Sequence, residues 1–486
     1  MKNTSFFLKF CNDFFVVLYY NIPLYYRNPK VIVLNKRGIL DMTTGPFFKK
    51  ILVFSVPLML TGVLQLIYNA ADVMVVGRFA GSTSLAAVGS TSSLVNLIVN
   101  LFIGLSTGAG VVTARHIGAG EGEKTYRSVH TAMAIGVVSG FAVCVFGYCF
   151  AGKFLALMGT PDDVLPLATL YLKIYFLGAP GSLVYNFGAS IVRATGDTKR
   201  PLFILTFAGL VNVILNLVLV IVFKLDVAGV AIATVVSQYI SAVFIVIRLT
   251  HLENACRLKL NKIKIYKDEL KLIVKIGLPA GFQNSLFSLS NVLIQSTINT
   301  FGSSAMAGNT AAQNCDSFIY TCANAVAQTS MTFSSQNMGA KKYHNLKKIY
   351  FMCLAFSLVI GVVFGALALI FPDEILGIFS TDPVVIEYGK SRIYVIMSTY
   401  FLCCLMDVAA YQVRGMGRSL EPMIISLLGA CGLRVLWLYT GYQLDKTLPN
   451  LYLSYPISWL ITFVALFILF VVIDKKLKKK ASLEDA

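Results

Sequence analysis

The stretch Arg193-Ala-Thr-Gly-Asp-Thr-Lys-Arg-Pro201 returns later in the chain as Arg414-Gly-Met-Gly-Arg-Ser-Leu-Glu-Pro422. An arginine, a glycine and a proline recur in the two stretches at a constant shift of 221 residues. Two further pairs of segments match at this shift or within one residue of it: His116-Ile-Gly-Ala119 with Asn337-Met-Gly-Ala340, and Pro57 with Phe79-Ala-Gly81 against Pro279 with Phe301-Gly302. Three matches in the same order indicate that the chain is a duplicated unit of about 220 residues.

The composition places this duplicated chain in a lipid bilayer. The 486 residues are 57% hydrophobic and 13% charged, with a mean hydropathy of +0.73, which is too apolar for an ordinary soluble domain. A membrane-spanning helix needs about 20 apolar residues. Twelve segments meet this length, six in each copy: 51–77, 84–113, 129–152, 166–192, 201–224, 227–249, 272–300, 304–335, 350–371, 385–413, 422–443 and 451–473. The sequence therefore predicts an all-α integral membrane protein with two pseudo-symmetric bundles of six transmembrane helices.

The basic residues predict the orientation of the helices. Most of the 41 lysines and arginines lie in the segments before the first predicted helix, after each even-numbered helix, and in the tail. Basic loops resist translocation, so both termini are expected to be cytoplasmic in a multi-pass plasma-membrane protein. Because six is even, the two copies enter the membrane from the same side. The net charge of +18 suits anionic membrane lipid, so a nucleic-acid partner is not needed to explain it.

The predicted helices and the basic segments divide the chain into five parts. They are an N-terminal cytoplasmic or interfacial extension (1–44), an amino lobe (45–250), a cytoplasmic linker (251–271), a carboxy lobe (272–474) and a basic cytoplasmic tail (475–486).

Four ionisable residues are expected deep in the membrane, where a charge is costly unless it is paired or hydrated. They are Asp72, Asp316, Asp407 and Arg434. Arg434 lies about 18 Å along its helix, near the middle of the bilayer. We expect Asp407 or Asp316 to pair with it, either as a fixed ion pair that locks the second bundle or as a pair that switches.

Asp72 has a different environment, because lysine and arginine are missing from the interiors of three neighbouring predicted helices. Asn212 and Asn216 are four residues apart on one helix face, and Thr234 lies on the next helix. One carboxylate with amide and hydroxyl oxygens suits a hard monovalent cation, or a carboxylate that accepts and releases a proton. Polar packing between helices is the alternative.

The repeated prolines and arginines have a mechanical interpretation. Pro57 and Pro279 lie early in the first helix of each copy, where each removes one backbone hydrogen bond and permits a hinge. Arg193 and Arg414 are expected at the cytoplasmic membrane edge, where they anchor to headgroup phosphates or take part in gating.

An enzyme is not predicted. The four histidines lie near cytoplasmic helix ends, and no metal-binding, phosphate-binding or nucleophile motif is present. No cofactor is therefore expected.

The run Val56-Pro-Leu-Met-Leu-Thr-Gly-Val-Leu-Gln-Leu-Ile-Tyr-Asn-Ala-Ala-Asp-Val-Met-Val-Val-Gly-Arg-Phe-Ala-Gly81 resembles the first helix of multidrug and toxic compound extrusion (MATE) transporters, including bacterial NorM-like and DinF-like members. The resemblance extends over residues 45–475 and includes the repeated turn and the start of the eighth helix. It implies two six-helix lobes around a cavity that opens to one side at a time. It also implies a monomer that exports small, cationic amphiphilic molecules against entering Na⁺ or H⁺.

The resemblance assigns roles to individual residues. Ion coupling is expected at Asp72, Asn212, Asn216 and Thr234, with Na⁺ bound at the first two if Na⁺ is the coupling ion. The expected cavity residues are Gln65, Tyr68, Gln283, Asn284, Asp316, Asp407 and Arg434. Phe287 departs from the family pattern, because NorM-like members carry a glutamate at that position.

Two alternative functions stay open. One is a lipid-linked oligosaccharide flippase, which would have a cavity lined mainly by arginine and lysine. The other is a membrane scaffold or receptor that transports nothing.

Overall fold

A computed structural model describes residues 40–484 of the chain, and this part is almost entirely helical. Residues 1–39 of the expected extension (1–44) lie outside the described residues. The helices of the amino lobe are α1 Phe47–Phe79, α2 Ser82–Ala119, α3 Gly122–Leu157, α4 Leu165–Leu177, α5 Ala179–Ala194, α6 Lys199–Leu217 and α7 Asp226–Thr250. The helices of the carboxy lobe are α8 Lys267–Asn299, α9 Ser303–Gly339, α10 His344–Ile370, α11 Pro372–Gly377, α12 Pro383–Met397, α13 Tyr400–Gly415, α14 Leu420–Ser426, α15 Leu433–Tyr439, α16 Gly441–Leu444 and α17 Leu448–Glu484. The predicted all-α fold is confirmed.

Each of the twelve predicted spans coincides with one helix or with a group of consecutive helices. Within residues 40–484, eight helices are long and apolar enough to cross a membrane, or up to ten if each of two bent pairs forms one span. The bent pairs are α4 with α5, at 46°, and α12 with α13, at 50°. The two remaining predicted spans coincide with α8 and α9, which are not among these candidates. They have 33 and 37 residues and are richer in polar side chains, many of which face the centre of the molecule.

The backbone repeats at the shift found in the sequence. Gly196 and Gly417 end α5 and α13 with φ of +92° and +86°. The left-handed region suits glycine because it has no Cβ. In both turns the amide of the glycine donates 2.9 Å to the carbonyl of the arginine three residues earlier. Left-handed residues at Gly81 and Gly302, which are also 221 apart, confirm the duplication.

The backbones of the two lobes approach each other closely where α2 crosses α8. A Cβ on Gly104 would lie 2.1 Å from the amide nitrogen of Gly281, and one on Gly108 would lie 2.5 Å from the carbonyl oxygen of Ile273. Small residues allow helix backbones to approach this closely in a membrane. Further toward the end of α2, Gly118 lies against the carbonyl of Gln336. The lobes therefore touch on the side that carries the basic loops, which we call the basic side.

A short segment before α1 strengthens this contact. The amide of Leu40 donates 3.1 Å to the carbonyl of Thr195 in the amino lobe. The carbonyl of Met42 accepts a 2.9 Å hydrogen bond from Asn337 in the carboxy lobe, and the Met42 side chain is fully buried. Residues 40–44 therefore contact both lobes.

Helix α1 belongs to both lobes. Before Pro57, residues such as Ile51 and Phe54 pack in the core of the carboxy lobe, whereas Val75 and Val76 pack in the amino lobe. The helix is continuous through Pro57, as α8 is through Pro279. The hinge role of both prolines stays a prediction.

Candidate functional site

A cavity of about 580 Å³ lies between the lobes and is lined by polar and aromatic side chains from both. This volume suits a small organic molecule, because ligand pockets usually measure about 300 to 1,000 Å³. Five of the seven expected cavity residues line it: Gln65, Asn284, Asp316, Asp407 and Arg434. The cavity is thus shared between the two copies of the repeat.

Two expected cavity residues do not line it. Tyr68 packs against Gly209, and its hydroxyl donates 3.1 Å to the carbonyl of Thr206 on α6. Gln283 is buried, and its side-chain oxygen accepts a 2.9 Å hydrogen bond from Arg414. Each polar group has a partner inside its own lobe, so the prediction was wrong for both residues.

The residues expected for ion coupling come together inside the amino lobe. The Asn216 amide donates to the Asp72 carboxylate and also lies 3.3 Å from the side-chain oxygen of Asn212. Asn212 in turn donates to the hydroxyl of Thr234 over 3.5 Å. Helices α1, α6 and α7 therefore place the four groups in one network, as the spacing of the two asparagines predicts.

This network has spare capacity for a ligand. The side-chain oxygen of Asn216 is buried and has no hydrogen-bond partner among the described residues. Tyr171 and Tyr175 lie within electrostatic reach of Asp72, and no lysine or arginine of the described chain pairs with it. A carboxylate, two amide oxygens and a hydroxyl are a suitable donor set for a hard cation.

The carboxy lobe contains a buried ion pair that the sequence analysis did not predict. Two nitrogens of Arg392 donate to the same oxygen of Asp316, at 2.5 and 3.2 Å. A third nitrogen donates 2.8 Å to Asn309, which also accepts from Tyr452. A signal was available, because Arg392 lies inside a predicted span and a charge in such a position is a candidate functional group.

Arg434 is buried at 3% exposure, but it does not pair with Asp316 or Asp407, so that prediction was wrong. Its hydrogen bonds, both 3.2 Å long, run to the side-chain oxygens of Ser458 and Asn291. Asp316 is already bound to Arg392. Helix rotation, which the sequence does not reveal, decides which arginine reaches the aspartate.

The two arginines of the repeated turn do not lie where they could anchor to lipid headgroups, which was one of their two expected roles; the gating role stays a prediction. Arg414 is 1% exposed, donates to Gln283 and lies 4.6 Å from the ring of Tyr411. It cannot reach a lipid headgroup. Arg193 lines the cavity and donates 3.2 Å to the carbonyl of Ala189.

Known proteins resemble both copies of the repeat. The family model described as MatE matches the chain twice, over residues 57–218 and 279–440. "Probable multidrug resistance protein YoeA" of Bacillus subtilis (strain 168) is 27% identical over 424 residues, which cover 85% of this chain and 91% of that protein. "FAD transporter" of Shewanella oneidensis is 26% identical over 451 residues, which cover 90% and 96%.

A solved structure shows the same fold. It is described as "Outward-facing conformation of a multidrug resistance MATE family transporter of the MOP superfamily" and superposes with a TM-score of 0.85 at 21% identity. The match covers 90% of this chain and 98% of that one.

Proposed function

The chain belongs to the MatE family, whose members are transporters and not enzymes, and from this premise we propose that it exports small molecules by antiport against entering Na⁺ or H⁺. The network around Asp72 is the observation that carries the proposal. Asp72 is the one carboxylate of this network, and its partners are neutral oxygen and amide groups.

Asp72 suits either coupling ion. Na⁺ would replace the hydrogen-bond donors around the carboxylate and gain the unpaired oxygen of Asn216, together with those of Asn212 and Thr234. A proton would bind the carboxylate directly and leave the amide network in place. The two ions make different demands on Asn216, so Asn216→Ala should separate them.

Antiport requires two conformations, and we propose that they are two arrangements of the lobes relative to each other. In this structure the lobes touch through α2, α8 and α9 on the basic side. An ion drives transport only if it binds the two conformations with different affinity. We propose that occupation of the Asp72 network changes the packing of α1, which contacts both lobes.

The proposed membrane arrangement follows the charge pattern. Both termini lie in the cytoplasm, membrane lipids surround the helices, and the protein works as a monomer without a cofactor. With this orientation the contact on the basic side closes the cytoplasmic end of the cavity.

The substrate class has two candidates. Family resemblance favours cationic amphiphiles, for which Asp407 is the cavity carboxylate that has no hydrogen-bonded cation. The lipid-linked oligosaccharide flippase has one observation in its favour, because Arg193, Arg392 and Arg434 line the cavity against two aspartates.

Transport in proteoliposomes tests the proposal. Efflux of a fluorescent organic dye is measured under a Na⁺ gradient alone, a pH gradient alone, and neither. The wild type should respond to one gradient, Asp72→Asn should lose that response, and the matched control Asp163→Asn, which changes an exposed loop carboxylate, should keep it. Gradient-driven efflux by Asp72→Asn at the wild-type rate would overturn the assignment.

A further inference from the structure

The cavity contains more positive than negative charge. Three arginines and two aspartates line it, and one aspartate, Asp316, is neutralised by its ion pair with Arg392. Asp407 forms no ion pair within the described part of the chain, and one of its carboxylate oxygens has no hydrogen-bond partner there. Among the described residues, Arg434 and Arg193 form no ion pair. The uncompensated charge of the cavity is therefore positive.

Arg434 is the more deeply buried of these two cations. Its two hydrogen-bond acceptors, Ser458 and Asn291, are neutral and do not balance its charge. A guanidinium has five N–H donors, so two hydrogen bonds leave donors available. A buried cation without an anion is costly, whereas an Arg–carboxylate or Arg–phosphate pair is short, strong and often bidentate.

Aromatic rings surround this cation. The Arg434 guanidinium lies 4.1 Å from the ring centre of Tyr455 and 5.8 Å from that of Trp459. These two rings contact each other edge-on, and Tyr400 makes a similar contact with Trp459. All three line the cavity beside Phe287. They offer an apolar, aromatic wall next to a positively charged group.

We propose that Arg434 is a substrate-binding residue that takes the carboxylate or phosphate of an aromatic molecule, with its rings against Tyr455 and Trp459. The inference rests on the proposed transport function and names the substrate class of the same cavity. Arg193, on the opposite lobe, adds to the positive potential of the cavity.

Equilibrium binding of two xanthene dyes to the purified full-length protein tests the proposal. Fluorescein carries a carboxylate, whereas rhodamine 6G has a related ring system and is cationic. The wild type should bind fluorescein more tightly than rhodamine 6G. Arg434→Gln should weaken fluorescein binding about ten- to a hundredfold, which is the usual effect of losing one charged hydrogen-bonded contact, and should not weaken rhodamine 6G binding.

Two variants control for folding and for charge. Arg434→Lys keeps the charge without the fork of donors and should retain part of the affinity. Arg78→Gln removes an exposed arginine outside the cavity and should bind both dyes as the wild type does. Tighter binding of rhodamine 6G than fluorescein by the wild type, with no effect of Arg434→Gln on fluorescein, would overturn the proposal.

Competition distinguishes a soluble anion from a lipid headgroup. Phenyl phosphate and short-chain phosphatidylglycerol are each titrated against bound fluorescein. Displacement by phenyl phosphate alone assigns the site to a soluble anion, and displacement by both admits a lipid phosphate. Displacement by neither contradicts anion binding at Arg434.

The experiment is independent of ion coupling, because it uses no gradient. Failure of coupled transport in the wild type with intact fluorescein binding would therefore reject the proposed antiport and keep the anion site.

Discussion

His116 on α2 and Glu269 on α8 connect the two lobes through a buried contact, with 3.0 Å between Nε2 of the histidine and Oε2 of the carboxylate. The other ring nitrogen of His116 lies 3.1 Å from the carboxylate of Glu121, which immediately precedes α3 in the same lobe. The contact lies on the basic side, where the backbones of α2 and α8 also approach each other. It is therefore placed to hold this end of the cavity closed.

Removing this contact should favour the conformation that is open on the basic side. His116→Leu leaves the buried Glu269 without its partner, a change that costs about 1 to 3 kcal/mol and shifts the ratio of the two conformations about 5- to 150-fold. Spin labels at Lys124→Cys and Lys347→Cys, on exposed sites of the two lobes, report the distance by double electron–electron resonance. Glu123→Gln, which changes an exposed pair within α3, is the control. An unchanged distance distribution in His116→Leu would show that the contact between His116 and Glu269 does not hold this end of the cavity closed.

The glycine contact between α2 and α8 should resist any side chain. In Gly104→Ala the new Cβ would lie 2.1 Å from backbone nitrogen, and backbone cannot move aside as a flexible side chain does. The two helices must then separate, which destabilises the present lobe arrangement by about 1 to 3 kcal/mol. Thermal unfolding in detergent should show a lower Tm. Gly89→Ala on the same helix meets nothing within 4 Å and should be neutral or slightly stabilising. Equal melting temperatures for the two variants would contradict the close approach.

The buried pair of Arg392 and Asp316 should be more sensitive to single changes than to a double change. Arg392→Met leaves a carboxylate buried without its partner, which costs about 3 to 5 kcal/mol. The double variant Arg392→Met with Asp316→Leu removes both charges and should recover most of this stability. A thermal unfolding series of both single variants and the double variant measures the coupling. Additive losses would show that the two groups act independently.

Asn216 should distinguish Na⁺ from H⁺ as the coupling ion. Asn216→Ala removes both the donor to Asp72 and the unpaired oxygen proposed as a Na⁺ ligand. If Na⁺ is the coupling ion, the Na⁺ concentration that gives half-maximal efflux should rise about tenfold or more, as expected for loss of one polar contact to an ion. If H⁺ is the coupling ion, driven efflux should persist with an altered pH dependence. Wild-type behaviour under both gradients would remove Asn216 from the site.

The polar network of the amino lobe was predictable because much of its geometry is local. Asn212 and Asn216 share a helix face by their spacing of four residues, and the absence of basic residues around Asp72 was visible in the chain. Contacts across longer separations were not predictable in the same way. Tyr68 and Gln283 were placed in the cavity by resemblance, yet each turns toward a partner in its own lobe.

Repeats, hydropathy and charge are properties of the linear chain, so the duplication, the apolar helical segments and the basic side could be predicted from it. The glycines of the two opening stretches end their helices as expected, since a left-handed turn depends on local backbone geometry. Which buried charges pair depends on how the helices pack against one another. Asp316 meets Arg392 and not Arg434 because the rotation and crossing of packed helices bring the first arginine to it. The repeated arginines could not be placed from the sequence either. Arg414 is buried in its lobe and Arg193 faces the cavity, although the two lie at equivalent positions of the repeat.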